Sequence, residues 1–193
     1  SIMSNYGSKT NAEGVDLNSD GKMPIMTGEQ VTGNVLTEIA MATDKDGATL
    51  DNRAVVRFKQ SNGSTFSQMY FDSDQDWAID RTNQQFLHIA TKIVDEAAYF
   101  AAVSTATGFA DFIAKVGALL LPASAGKTYT LKISLRENDG NYYPTFPNYP
   151  NFIEADGTTP TTLSTNPKYD VYEIPTSTSA DEALAESTEE PAF

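Results

Sequence analysis

The chain has 193 residues, with 26 acidic against 13 basic side chains, one histidine, no cysteine and a net charge of −13. That length suits one domain with a real core, and no stretch approaches the ~20 apolar residues that span a bilayer. The lack of cysteine excludes disulfides, thiolate metal sites and cysteine nucleophiles, and is compatible with a reducing cytoplasm.

Residues 1–27 are rich in Ser, Asn, Gly and Asp without apolar period, which predicts a flexible N-terminal arm. The opening Ser1-Ile2-Met3-Ser4-Asn5-Tyr6 has neither the basic start nor the apolar centre of a secretory signal. Asp16-Leu17-Asn18-Ser19-Asp20-Gly21 starts like a calcium loop. Its twelfth position, however, is Thr27 where a bidentate Glu is required, and Pro24 stands where a helix should leave.

From Gln30 to Ala42 the pattern is β-like, with Val31, Val35, Ile39 and Met41 at odd positions on one face. Asp44-Lys45-Asp46-Gly47 is a turn. Asn52–Gln60 then predicts a strand with Ala54, Val56 and Phe58 on one face and Arg53, Val55, Arg57 and Lys59 on the other. Asn62-Gly63 marks a hairpin, returned by a strand over Thr65–Phe71.

Thr82-Asn83-Gln84-Gln85 matches a capping box, and Phe86, Ile89, Ile93, Ala97 and Phe100 predict one helix to about Ala102. After Gly108, Phe109, Phe112, Ile113, Val116 and Leu120 predict another, stopped by Pro122. The carboxylates Asp72, Asp74, Asp76 and Asp80 around Trp77 read as a polar loop and helix N-terminus rather than a magnesium site. His88, the single histidine, reads as a helix-surface or core-edge residue. Gly126-Lys127-Thr128 enters a strand and lacks the first glycine of a phosphate-binding loop, Leu121 standing in its place.

Lys127–Arg136 alternates as a strand with Tyr129, Leu131, Ile133 and Leu135 inward and Thr128, Thr130, Lys132, Ser134 and Arg136 outward. An aromatic, proline-rich loop follows, then a short strand near Tyr169–Ile174 and an acidic tail. This order predicts a mainly β fold with a helical insertion: a five-stranded OB-like barrel with helices between strands three and four. A β-sandwich with a helical insert would read almost the same. The expected divisions are the arm 1–27, a nucleic-acid-binding domain 28–174 and a disordered acidic tail 175–193.

The negative charge is unevenly spread. The tail from Pro175 holds five acids and no base, and residues 31–174 hold 17 acids and 11 bases, so the body is at −6. Which face the bases share matters more than the total. Arg53, Arg57 and Lys59 alternate on one strand, and Lys132 and Arg136 on another. If those strands are neighbours, five cations line one surface as a track for phosphates. The plainer reading is a solvated sheet face. Phe66 and Tyr70 share a face of the hairpin, and Tyr142, Tyr143, Phe146, Tyr149 and Phe152 fall within eleven residues stiffened by prolines. Exposed rings beside cations suit unpaired bases, which a duplex does not offer. No triad spacing or metal cluster appears, so no enzyme, metal or cofactor is expected.

The basic strand with its Asn62-Gly63 hairpin, the helices, Lys127-Thr128-Tyr129-Thr130-Leu131-Lys132-Ile133, the Tyr-Pro loop and the Phe-terminated tail resemble phage-type OB-fold single-stranded-DNA-binding proteins, over residues 30–193 in order of elements. The resemblance implies a non-enzymatic protein of the (host) cytoplasm that coats single-stranded DNA during replication, recombination and repair, with self-association left open and no membrane role. Phosphates would meet Arg53, Arg57, Lys59, Lys132 and Arg136, and bases would stack on Phe66, Tyr70, Tyr142, Tyr143, Phe146 and Tyr149. The tail residues Asp181, Glu182, Glu186, Glu189, Glu190 and Phe193 would hold replication or recombination proteins, or compete with DNA. Bacterial members end in Pro-Phe, whereas Pro191-Ala192-Phe193 has an intervening Ala, which suits a phage-encoded partner. The alternative is a virion structural or capsid decoration protein with a β-sandwich core, told apart by large assemblies formed without DNA.

Overall fold

A computed structural model describes residues 23–175. They form β1 (Gly28–Thr43), β2 (Thr49–Lys59), β3 (Thr65–Phe71), α1 (Asp76–Thr91), α2 (Glu96–Val103), α3 (Phe109–Ala123), β4 (Tyr129–Asn138), β5 (Asn141–Thr145) and β6 (Ile153–Ala155). The six strands make one antiparallel sheet in the order β3-β2-β1-β4-β5, with β6 on β4. It is not closed into a barrel: β3 and β5 meet through the side chain of Gln68, whose Oε1 accepts the Phe146 N–H at 2.9 Å, and not through a backbone ladder.

β1 is long enough to serve two partners. Residues Gly28–Asn34 pair with β4, and Val35–Thr43 pair with β2. The changeover lies at Gly33, held at φ 79°, where a β-branched residue would be strained, and register shifts flank it. Each shift changes which parity faces inward. Val31, Leu36, Ile39 and Ala42 are therefore buried while Val35 is exposed, correcting the simple odd-numbered face. The buried Asn34 anchors the bend by donating to Val31 O at 2.6 Å and Tyr129 O at 2.9 Å.

The helices cover the inner face of the sheet. α3 buries Ile113, Val116 and Leu120, and meets β1 at Gly117, where any Cβ would lie 2.7 Å from the Ile39 carbonyl oxygen. α1 begins at Asp76, not at the Thr82 capping box. Its first turns leave Trp77 and Ile79 exposed, so the apolar period becomes visible only from Gln85. The single helix expected to Ala102 is broken between Thr91 and Glu96; the break shifts the buried position from Phe100, which is exposed, to Tyr99.

The expected loop after β4 contains two strands. Asp139 (φ 52°) and Gly140 (φ 79°) form a two-residue hairpin turn from β4 to β5. No strand forms at Tyr169–Ile174; that segment gives β4 a single backbone bond, from Leu135 N–H to Val171 O at 2.7 Å. No helix among the described residues is long and apolar enough to cross a membrane.

Candidate nucleic-acid interface

The two basic strands are not neighbours, because β1 runs between β2 and β4. On β2, Arg53 and Lys59 are exposed as expected, with Arg53 stacked 5.6 Å from the ring centre of Phe71, its cross-strand partner. Arg57 is half-buried, ion-paired with Glu38 on β1, and donates from Nε to Ser67 Oγ at 3.2 Å. A carboxylate thus sits directly opposite Arg57 in the β1–β2 register.

On β4 the outward face is covered. Thr130, Lys132 and Ser134 are buried, and the Lys132 side chain has no exposed surface. Its ammonium donates to Asp170 Oδ2 at 2.9 Å, to the Tyr149 hydroxyl at 2.9 Å and to the Ser164 carbonyl. Burial pushes the Asp170 carboxyl up, but hydrogen bonds from Tyr149, the Asn166 N–H and Lys132 prevail and hold it below its ordinary range. Glu154 is held low in the same way: the hydroxyls of Thr161 and Thr162 and the Thr162 N–H outweigh its burial. Lys132 is therefore the anchor of the segment that returns over β4, and no phosphate reaches it. Arg136, two turns of the pleat further on, is exposed and donates to Asn148 Oδ1 at 2.7 Å.

Three expected stacking residues belong to the core. Phe66 and Phe146 are buried with ring centres 5.0 Å apart, and Tyr70 packs on Phe86 while its hydroxyl donates to Gln85 Oε1 at 2.8 Å. Burial raises the Tyr70 pKa, so it stays a phenol. Tyr149 is half-buried, its hydroxyl committed to Lys132 and Asp170. Tyr142 is half-buried, and Tyr143 is exposed. His88 sits at the core edge, where its Nε2 accepts the Phe152 N–H at 3.1 Å. The tail residues Asp181, Glu182, Glu186, Glu189, Glu190 and Phe193 lie outside the described residues.

Rings and cations do converge elsewhere. A groove of about 670 Å³ runs between β3, the N-terminal half of α1, and the β4–β5 hairpin with the chain that follows it. Phe71, Trp77 and Tyr143 line it and are 57%, 62% and 52% exposed. Arg81 and Arg136 line it too, against one carboxylate, Asp72, and Arg53 stands over Phe71 at its edge. Arg81 stacks 5.2 Å from the Trp77 ring centre. Each exposed ring thus has an arginine beside it: Arg53 with Phe71, Arg81 with Trp77, and Arg136 with Tyr143, its register partner on β5. Such a surface offers flat apolar faces for bases and donors for phosphates side by side.

Of these six residues, Phe71, Trp77 and Arg81 were not among the expected binding residues. Two signals were present. Phe71 has the opposite parity to the inward Tyr70, and Arg81 stands four residues after Trp77, the spacing of one helix face. Comparison with protein-family models, curated proteins and solved structures finds no match for the chain.

Proposed function

We propose that this protein binds single-stranded DNA without catalysing a reaction, and that the Phe71–Trp77–Tyr143 groove is its binding surface. The observation that carries the reading is a groove with three exposed rings, each with an arginine beside it, in an otherwise acidic protein. Grooves of this kind stack successive bases and follow the backbone with cations. The element order, three strands, helices and then further strands, supports an OB-like architecture, as does the approach of the two edge strands through Gln68. Coating of exposed strands in replication, recombination and repair, with the acidic tail engaging partner proteins or competing with DNA, is the role that fits this binding.

Trp77 is the only tryptophan in the chain, so its fluorescence reports on the groove directly. Titration with a poly-dT oligonucleotide is expected to quench it saturably at low salt and more weakly at high salt. Trp77→Ala is expected to reduce affinity roughly 5- to 150-fold, one stacking platform's worth, measured by oligonucleotide anisotropy. No quenching by a folded protein would overturn the reading. Large assemblies sedimenting without DNA would move the assignment to the virion structural protein.

A further inference from the structure

A further cavity, of about 420 Å³, shares a wall with the groove: Arg136, Thr145, Phe146 and Asn148 line both. Arg136 is the cation common to the two. Its 2.7 Å bond to Asn148 Oδ1 holds the guanidinium in that wall and uses one of its five N–H donors. The cavity adds one ring that the groove lacks, Tyr169.

Tyr169 is displayed by the turn that carries it. Asn166-Pro167-Lys168-Tyr169 places Asn first and Pro second, the residues that a tight turn favours there. The Asn166 carbonyl accepts the N–H groups of Tyr169 and Asp170, each at 2.9 Å, and the Asn166 N–H donates to Asp170 Oδ2 at 2.7 Å. The Asp170 side chain is drawn inward to Lys132, and the ring before it stays outside. Tyr169 is 65% exposed, more than Phe71, Trp77 or Tyr143. Lys168 Nζ lies 5.1 Å from its ring centre. The ring-with-cation arrangement of the groove is thus repeated on a turn anchored by a buried ion pair. Two carboxylates line this cavity. Asp170 is neutralised by Lys132, and Glu137 accepts the Gly140 N–H at 2.6 Å within its own hairpin, which leaves one acid against Arg136 and Lys168.

We propose that Tyr169 and Lys168 form a second station for the strand bound in the groove, Tyr169 stacking a base while Lys168 and Arg136 meet phosphates. A strand leaving the groove beside Tyr143 passes Arg136, its register partner, and enters the cavity that Tyr169 lines. The inference rests on the single-strand reading and adds a dependence on length. A strand that fills only the groove does not reach Tyr169, and a longer one does.

The test titrates the full chain with (dT)4 and (dT)15, which span the ~4–16 nucleotides that a single OB fold covers. Trp77 fluorescence reports on the groove, and oligonucleotide anisotropy gives the affinity. Tyr169→Ala is expected to weaken (dT)15 roughly 5- to 150-fold, one stacked base, and (dT)4 by less than about twofold. Tyr169→Phe keeps the ring and is expected to bind both oligonucleotides as the unaltered chain does. Lys168→Gln is expected to reduce the slope of log affinity against log salt for (dT)15 by about 0.7, one phosphate contact on a single strand. Trp77→Ala weakens both oligonucleotides. An unchanged (dT)15 affinity in Tyr169→Ala, or equal losses for the two oligonucleotides, overturns the second station and leaves the groove standing. Absence of Trp77 quenching by either oligonucleotide overturns the groove and this inference with it.

Discussion

β2 and β4 carry the same written pattern, basic residues alternating with apolar ones, yet their outer faces have opposite fates. On β2, Arg53 and Lys59 meet solvent and Arg57 shares a half-exposed pair with Glu38. On β4, the returning chain from Tyr149 to Val171 covers Lys132 and converts a surface cation into a buried ion pair. Alternation therefore tells which residues share a face, and says nothing about whether a later part of the chain covers it. The cation next along β4, Arg136, escapes the cover and reaches the groove.

The difference can be tested most severely at Lys132. Lys132→Met leaves Asp170 buried without its cation, and is expected to cost about 3–5 kcal/mol in urea denaturation. A loss below about 1 kcal/mol would mean that the covering segment is not held by this pair. The next largest effect is expected on the inner face. Gly117→Ala places a methyl against the Ile39 carbonyl and should cost about 1–3 kcal/mol by forcing α3 off β1.

His88 joins α1 to the start of the covering segment at Phe152, and its lowered pKa gives the cover a pH signature. Between about pH 6.5, the ordinary histidine value, and about pH 4, the unfolded chain takes up a proton that the folded one refuses. Stability is therefore full above that window and declines as pH falls through it. Comparing urea midpoints at pH 7 and 5 should reveal the decline, and His88→Gln should abolish it. Asp170 and Glu154, both held low, keep their contributions down to the ordinary carboxylate range near ~4, so they do not obscure it. The smallest effect belongs to the open face: Arg57→Ala should cost no more than about 1 kcal/mol, since both partners of its pair are 40% exposed. A loss as large as that at Lys132 would erase the contrast between the two strands.

Much of the local structure was legible. The Ala54-Val56-Phe58 face, the Asn62-Gly63 hairpin, the helix from Phe109 and the inward set Tyr129, Leu131 and Ile133 all follow from spacing and turn chemistry, and the sheet keeps each of them. The bulges of β1 were not legible, because a register shift cancels the parity on which a strand reading depends. The start of α1 was hidden for a related reason: its first two turns are exposed and show no apolar stripe.

The candidate site divides along the same line. By itself the sequence determined the supply of side chains: a body that holds 11 of the 13 bases ahead of a tail with acids alone, and rings and arginines numerous enough for a binding surface. Tertiary structure decided which of them are available. Phe66, Tyr70, Phe146 and Lys132 went to the interior, while Phe71, Trp77, Arg81, Arg136 and Tyr143 came together from three separate stretches of chain. The physical reason is reach. Periodicity records neighbours two to four residues apart, whereas burial of Lys132 depends on Asp170 and the groove joins Trp77 to Tyr143, contacts that form only once the helices and the returning chain have packed.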